Sequence, residues 1–229
     1  MEIIELSNYD LKRELKIPAV ITEELAEETG IHIGDGSMNR YGRGSYMYSL
    51  EGDPLEKEYY EKHIGPLYKK LYNLNVRLRE RKNAGVFGFQ IGSKGLINFK
   101  HTKLGLPLGP KVEIRIPELI RKSSIKIKAS FIRGFFDTDG GIYLEKKNGK
   151  LYPRIQLTNN SKKLMEEMKE ILEKDFNFNL SMRKDNNSYR TVIRGNENFI
   201  KWMKTIGTNN PKNSHKYSRW LFSIGETLN

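Results

Sequence analysis

The 229-residue chain has no cysteine and only two tryptophans. Without thiols there can be no disulfide framework, zinc ribbon or thiol nucleophile, so any metal must take oxygen or imidazole ligands, and a reducing, intracellular setting is expected. Long apolar runs are also missing. The opening stretch MEIIELSNYDLKRELKIPAV carries acids at positions 2 and 5 and has no signal-peptide core, and no later segment reads as a membrane span. Acidic residues are the minority: 40 Lys and Arg against 28 Asp and Glu give 40 − 28 = +12 and an isoelectric point near 9.6. Such a balance fits a partner that is a polyanion, nucleic acid first, although a Lys-rich composition alone gives the same figure. The motifs must decide.

What the chain does contain is a repeat. LAEETGIHIGDGS, residues 25–37, places Ala26, Gly30 and Gly34 four apart, followed by Asp35 and Gly36. ASFIRGFFDTDGG, residues 129–141, places Ser130, Gly134 and Thr138 in the same spacing, followed by Asp139 and Gly140, at an offset of 139 − 35 = 104. Downstream, NAGVFGFQIGSKGLINFKHTKLG echoes NNSYRTVIRGNENFIKWMKTIG, with Gly92 against Gly195. Residues four apart share a helix face, so each motif is read as a helix with a stripe of small side chains. Glycine inside a helix is destabilising relative to alanine unless close contact with another backbone offsets the loss. Two such helices packed face to face would bring Asp35 and Asp139 together at their C-terminal ends.

A carboxylate there opposes the helix dipole, and a second carboxylate adds repulsion, which a divalent cation would relieve. Oxygen ligands without thiols suit Mg²⁺, with Mn²⁺ as a substitute and Ca²⁺ as a cation that binds without supporting turnover; the chemistry implied is phosphodiester hydrolysis. Asp35 and Asp139 are the candidate ligands, with Gly34 and Thr138 just before them. A lone Asp-Gly pair reads as a turn, and DTDGG could open a calcium loop, but the twelfth position from Asp137 is Asn148, where an EF-hand needs glutamate. Asp137 corresponds to Ile33 and is read as a helix-end polar residue. His32 corresponds to Phe136 and is read as packing, not as a base; Phe131, Phe135, Phe136, Phe199 and Trp202 are read as core.

ETGIHIGDG (28–36), IRGFFDTDG (132–140), LTNNSKKLMEEMKEIL and RGNENFIKWMKTIGTNNPKNSHKY together resemble the LAGLIDADG homing endonucleases in their single-chain, two-motif form. The resemblance implies an α+β fold of two pseudo-symmetric αββαββα halves, with the motif helices at their interface and antiparallel sheets forming a saddle over duplex DNA. It places an N-terminal extension at 1–19, a first half at 20–104, a linker at 105–123 and a second half at 124–229. It also implies a lysine after each motif that serves the attacking water: Lys111 for the first, Lys216 for the second, with Lys212 as its rival. The activity implied is a double-strand break in a long, specific duplex target. An RNA maturase acting on host intron RNA, or an inactive DNA-binding regulator, are the alternatives. A Met start and the absence of a His-Asn ending are unlike an intein and fit a free-standing or intron-encoded protein; two copies in one chain predict a monomer.

The strands are read around these motifs. Ser124 is the expected N-cap of the second motif helix, Asn148 and Gly149 the turn between strands at 141–147 and 150–157, and Asp53-Pro54 the start of a long first-half helix. VRLRER alternates Arg77, Arg79 and Arg81 with apolar residues, and YPRIQL sets Arg154 and Gln156 on one face. With Arg40, Arg43, Arg183, Lys184, Arg190 and Arg194 they form the expected DNA-facing set, since arginine and glutamine on a two-stranded ribbon can read base edges in the major groove.

Overall fold

A computed structural model describes residues 4–225. The chain opens with α1 (Asn8–Lys12) and then α2 (Glu23–Asp35), capped by Thr22, whose hydroxyl accepts from the Leu25 amide at 3.2 Å. Next come β1 (Gly36–Tyr41), a 3-10 turn, β2 (Ser45–Gly52) and the helical run 54–72, which contains α3 (Lys57–Tyr59), a π-turn at Tyr60–Ile64 and α4 (Gly65–Tyr72). Pro66 has no N–H to close an α-turn there, the Gly65 amide instead donates to the Tyr60 carbonyl, and Tyr60 is buried. β3 (Arg79–Arg81), β4 (Val86–Gly92) and α5 (Lys94–Thr102) complete this half.

The second half runs α6 (Glu118–Arg121), α7 (Ile125–Asp139), β5 (Gly140–Lys147), β6 (Lys150–Asn159), α8 (Lys162–Lys174), β7 (Leu180–Asp185), β8 (Ser188–Arg194), α9 (Asn196–Thr205) and α10 (Pro211–Gly225). The two antiparallel sheets have the same connectivity, β1-β2-β4-β3 and β5-β6-β8-β7. The molecule is thus α+β with two pseudo-symmetric halves, as the resemblance implied. Asn148 and Gly149 both have positive φ, as a two-residue hairpin turn requires.

Close packing of α2 on α7 joins the halves. A Cβ on Gly30 would lie 2.1 Å from the Phe131 carbonyl oxygen, and one on Gly134 would lie 2.0 Å from the Glu27 carbonyl oxygen. Only glycine lets the two backbones meet there, and Ala26 and Ser130, both buried, continue the contact. Gly34 meets Thr138 across the same interface, where a Cβ would lie 2.6 Å from Thr138 Cβ.

The structure adds detail to three local readings. Ser124 holds the N-cap position, but its hydroxyl makes no cap bond; its carbonyl accepts from Lys128 instead. Only residues 79–81 of VRLRER pair as a strand, because left-handed Asn73 ends α4 and turns the chain before Val76 and Leu78 pack on the core. The segment 105–123 is no bare spacer: it buries Ile114, Ile116 and Ile120. Among the described residues, no helix is long and apolar enough to cross a membrane.

Candidate active site and nucleic-acid interface

Asp35 and Asp139 close their helices at matching positions, each half-buried where the helix passes directly into a strand. Their partners differ. Asp35 Oδ2 accepts from the Tyr60 hydroxyl at 2.7 Å, and Asp139 Oδ2 accepts from Asn159 Nδ2 at 2.8 Å. Strand register explains the swap. Gly36 pairs with Leu50 as Gly140 pairs with Leu157, so Gly52 stands where Asn159 stands in the other half. With no side chain at 52, Tyr60 fills the place; a Cβ on Gly52 would lie 2.4 Å from Asp35 Oδ2 and 2.8 Å from the Tyr60 oxygen.

Burial, with the negative charges of Asp139 and Glu56, pushes the Asp35 carboxyl up to about 7 against the Tyr60 hydrogen bond and Lys111. Burial also raises Asp139, opposed by Asn159 and Lys111. Two carboxylates that resist ionisation side by side form a natural cation site, and each keeps Oδ1 free of protein donors among the described residues. No group of three or more His, Cys, Asp or Glu assembles among the described residues. The donor set therefore fits a hard cation that draws its remaining oxygens from water and phosphate.

Lys111 comes from the connecting segment. Its Nζ donates to the carbonyls of His32, Ile33 and Gly34 at 3.2, 2.6 and 2.7 Å, which closes the end of α2. It lines a groove of about 670 Å³ with Gly34, Asp139, Tyr143, Gln156 and Asn159, and burial lowers its pKa against the charges of Asp139 and Asp35. Its expected counterparts are placed otherwise. Lys216 donates to the Ile142 carbonyl at 2.8 Å and lies over the Tyr143 ring, while Lys212 pairs with buried Glu56 at 3.3 Å. The carbonyl of Asp137, equivalent to that of Ile33, is capped not by a lysine but by Asn210 Nδ2 at 2.9 Å. Gly34 and Thr138 are already engaged: the Gly34 carbonyl accepts from Lys111, and the Thr138 hydroxyl turns back onto the carbonyls of Gly134 and Phe135. Asp137 is buried and accepts from Thr208 and the Asn209 amide, fixing the loop before α10.

Register sorts the basic residues by face. Arg154, Gln156, Arg183, Arg190 and Arg194 share one face of the second sheet with Tyr143 and Glu145. Arg79 and Arg81 share the matching face of the first sheet with Ser49, Glu51 and Gln90. Arg77 is exposed just before β3. Two assignments are corrected. Arg40 pairs with Tyr46 on the face of core residue Met38, and Lys184 pairs with Tyr189 on the face of buried Thr191; each is one residue out of phase with the arginine-bearing face. The side chain of Arg43 lies outside the described part of the structure.

Tyr60, Asn159 and Glu56 were not singled out from sequence. The weak signal for Asn159 is a polar TNN run just where strand alternation ends. Pro66 marks an irregular helix near Tyr60, but nothing local reveals that its hydroxyl reaches Asp35, 25 residues earlier in the chain.

Residues 126–207 match the family described as LAGLIDADG-like domain. Among solved structures, the chain is similar to I-DmoI in complex with DNA and Mn, with a TM-score of 0.58 and 20% identity over 82% of this chain and 97% of that one. It is also similar to the homing endonuclease I-WcaI bound to its DNA recognition sequence, with a TM-score of 0.60 and 19% identity over 87% and 88%. At these identities the likeness is one of fold. A curated relative, the isomerizing glutamine–fructose-6-phosphate aminotransferase of Methanocaldococcus jannaschii, is 26% identical over 212 residues, which is 90% of this chain but 18% of that protein.

Proposed function

We propose, taking the single-chain LAGLIDADG fold as the premise, that this chain is a homing endonuclease that makes a double-strand break in a long, specific duplex DNA site with a divalent metal. The observation that carries the reading is the delivery of two carboxylates to one place by glycine-stripe packing, each with one oxygen held by a neutral donor and the other left for a cation. Mg²⁺, with Mn²⁺ able to replace it, supplies Lewis acidity at the scissile phosphates. Asp35 and Asp139 would hold it, with Tyr60 and Asn159 orienting the two carboxylates. Lys111 sets a positive charge on the groove wall beside Asp139. Lys212 pairs with Glu56, whose charge acts on Asp35, while Lys216 lies over Tyr143 on the wall of the Lys111–Asp139 groove.

Supporting the homing reading, the match to the aminotransferase spans under a fifth of that protein. A stretch similar to this chain that fills so small a share of a much longer protein has the proportions of an inserted module. With both halves in one chain, the working unit is a monomer with a solution mass near 26.7 kDa at all concentrations. A mass of twice that would count against it.

The test is cleavage of a randomised duplex library with Mg²⁺, comparing the intact chain with Asp139→Asn and an EDTA control. Recovery of one site of roughly 20 base pairs, cut only by the intact chain with metal, supports the proposal; a footprint of that length reflects the phosphate and base contacts a two-sheet saddle can make. Specific DNA or RNA binding without cutting would shift the reading to a regulator or a maturase.

A further inference from the structure

The arginine-bearing face also carries acids, in a place where a polyanion binder would be expected to avoid them. Glu51 on β2 accepts from Arg81 Nη2 at 2.6 Å, and Gln90 Nε2 approaches the same oxygen at 3.4 Å. On the second sheet Glu145 on β5 accepts from Arg154 of β6, and Asp185 on β7 pairs with Arg190 of β8 at 2.6 Å. By register all three acids lie on the face of Gln156, Gln90 and the paired arginines. In each pair the arginine Nε is buried and has no hydrogen-bond partner among the described residues.

Sheet stability is a poor reason for this pattern. The pairs are partly buried, with the arginines 39, 22 and 27% exposed and their acids 12, 37 and 36%, and ion pairs that keep such solvent access contribute modestly to folding. Where phosphates must approach, each carboxylate subtracts attraction and occupies an arginine that could otherwise bind any backbone. The same contact pins one edge of a guanidinium, so that its remaining N–H groups point in one direction. A guanidinium held in this way matches O6 and N7 of guanine, and the carboxylate's other oxygen can accept from N4 of a cytosine.

We propose that Glu51, Glu145 and Asp185 are specificity-determining positioning residues, which lower affinity for arbitrary DNA and hold Arg81, Arg154 and Arg190 for base edges. This rests on the DNA-endonuclease reading.

The test compares the full chain with the triple variant Glu51→Gln/Glu145→Gln/Asp185→Asn, and with Glu145→Gln alone, for affinity to a random-sequence duplex between 50 and 200 mM salt. It also compares the base preference of sites recovered from the randomised library. Three freed arginines, each adding a phosphate contact, should steepen the salt slope by about 2.7, so that the affinity change across that fourfold range grows by roughly 40-fold. Preference at the bases beneath the three arginines should fall in the triple variant, and beneath Arg154 alone in the single one. An unchanged slope, or unchanged base preference, overturns the inference while leaving the endonuclease reading intact. A wild-type chain that binds duplex with no salt dependence overturns the DNA reading and this inference with it.

Discussion

Behind Asp35 the first half is built around buried charge. Glu28 accepts from Lys100 Nζ at 2.7 and 2.5 Å, from the Tyr72 hydroxyl at 2.8 Å and from Tyr68, while Tyr48 joins the cluster and bonds His32 Nδ1 at 3.1 Å. Both ends of the ion pair are fully enclosed. In the second half the repeat offset puts Ile132 at the place of Glu28 and Met203 at that of Lys100, and strand register puts Ile155 at that of Tyr48. There the core is hydrocarbon and rings, with Phe136 edge-on to Trp202 at 5.0 Å. Two interiors of different chemistry support the same helix end and the same acid. The position of each carboxylate is therefore set by the glycine interface and strand exit that the halves share, and the core chemistry is free to diverge.

The largest effect should come from breaking the buried pair on one side only. Lys100→Met leaves Glu28 charged without a partner and should cost about 3–5 kcal/mol in denaturant unfolding. Glu28→Leu/Lys100→Met gives the first half an interior like the second and should recover most of that loss; failure to recover would mean that the network does more than neutralise itself.

Next in size are the positions where the halves agree. Gly30→Ala and Gly134→Ala each force a methyl group against a carbonyl oxygen and should cost about 3 kcal/mol apiece, with similar losses on both sides. Unequal losses would show that one helix yields more than the other.

A smaller, pH-dependent effect crosses the interface. Burial would raise the Glu27 carboxyl, but hydrogen bonds from His63 and Arg133, at 2.7 Å each, and their charges hold it at about 2. Its folded pKa lies below its unfolded value of 4.5, so this stabilisation is complete above pH 4.5 and disappears as pH falls toward 2. The shift corresponds to about 3 kcal/mol, and Glu27→Gln should flatten the acid limb of a stability profile over that window.

The smallest effect tests the differing partners of the acids. Tyr60→Phe should cost about 1 kcal/mol of stability and push the Asp35 carboxyl above about 7, while the Asp139 titration followed by carbon-detected NMR stays in place. Movement of both would show the two carboxylates to be coupled more tightly than their separate donors imply.

How much of this was readable from sequence depends on reach along the chain. The small-residue stripes, both acids and the Asn-Gly turn follow from spacings of four residues or fewer, and they place the interface and the site. The Glu28–Lys100 pair joins positions 72 residues apart, and nothing local marks a glutamate inside EETGIHI as buried. Arg40 and Lys184 show the limit of alternation: strand membership was readable, but a one-residue phase decides the face, and only pairing fixes the phase. Lys216 shows another, since counting from each acid cannot reveal that Asn210 occupies the capping place that symmetry would give a lysine.

The grip of Lys111 on the end of α2 bears on how such proteins can be recombined. A hybrid made from the halves of two relatives has an apparent seam at residue 105, where composition changes. A crossover there takes the helix end from one parent and its clasp from the other, so the seam lies better beyond Ile120, where the last buried residue of the connection has already been laid down.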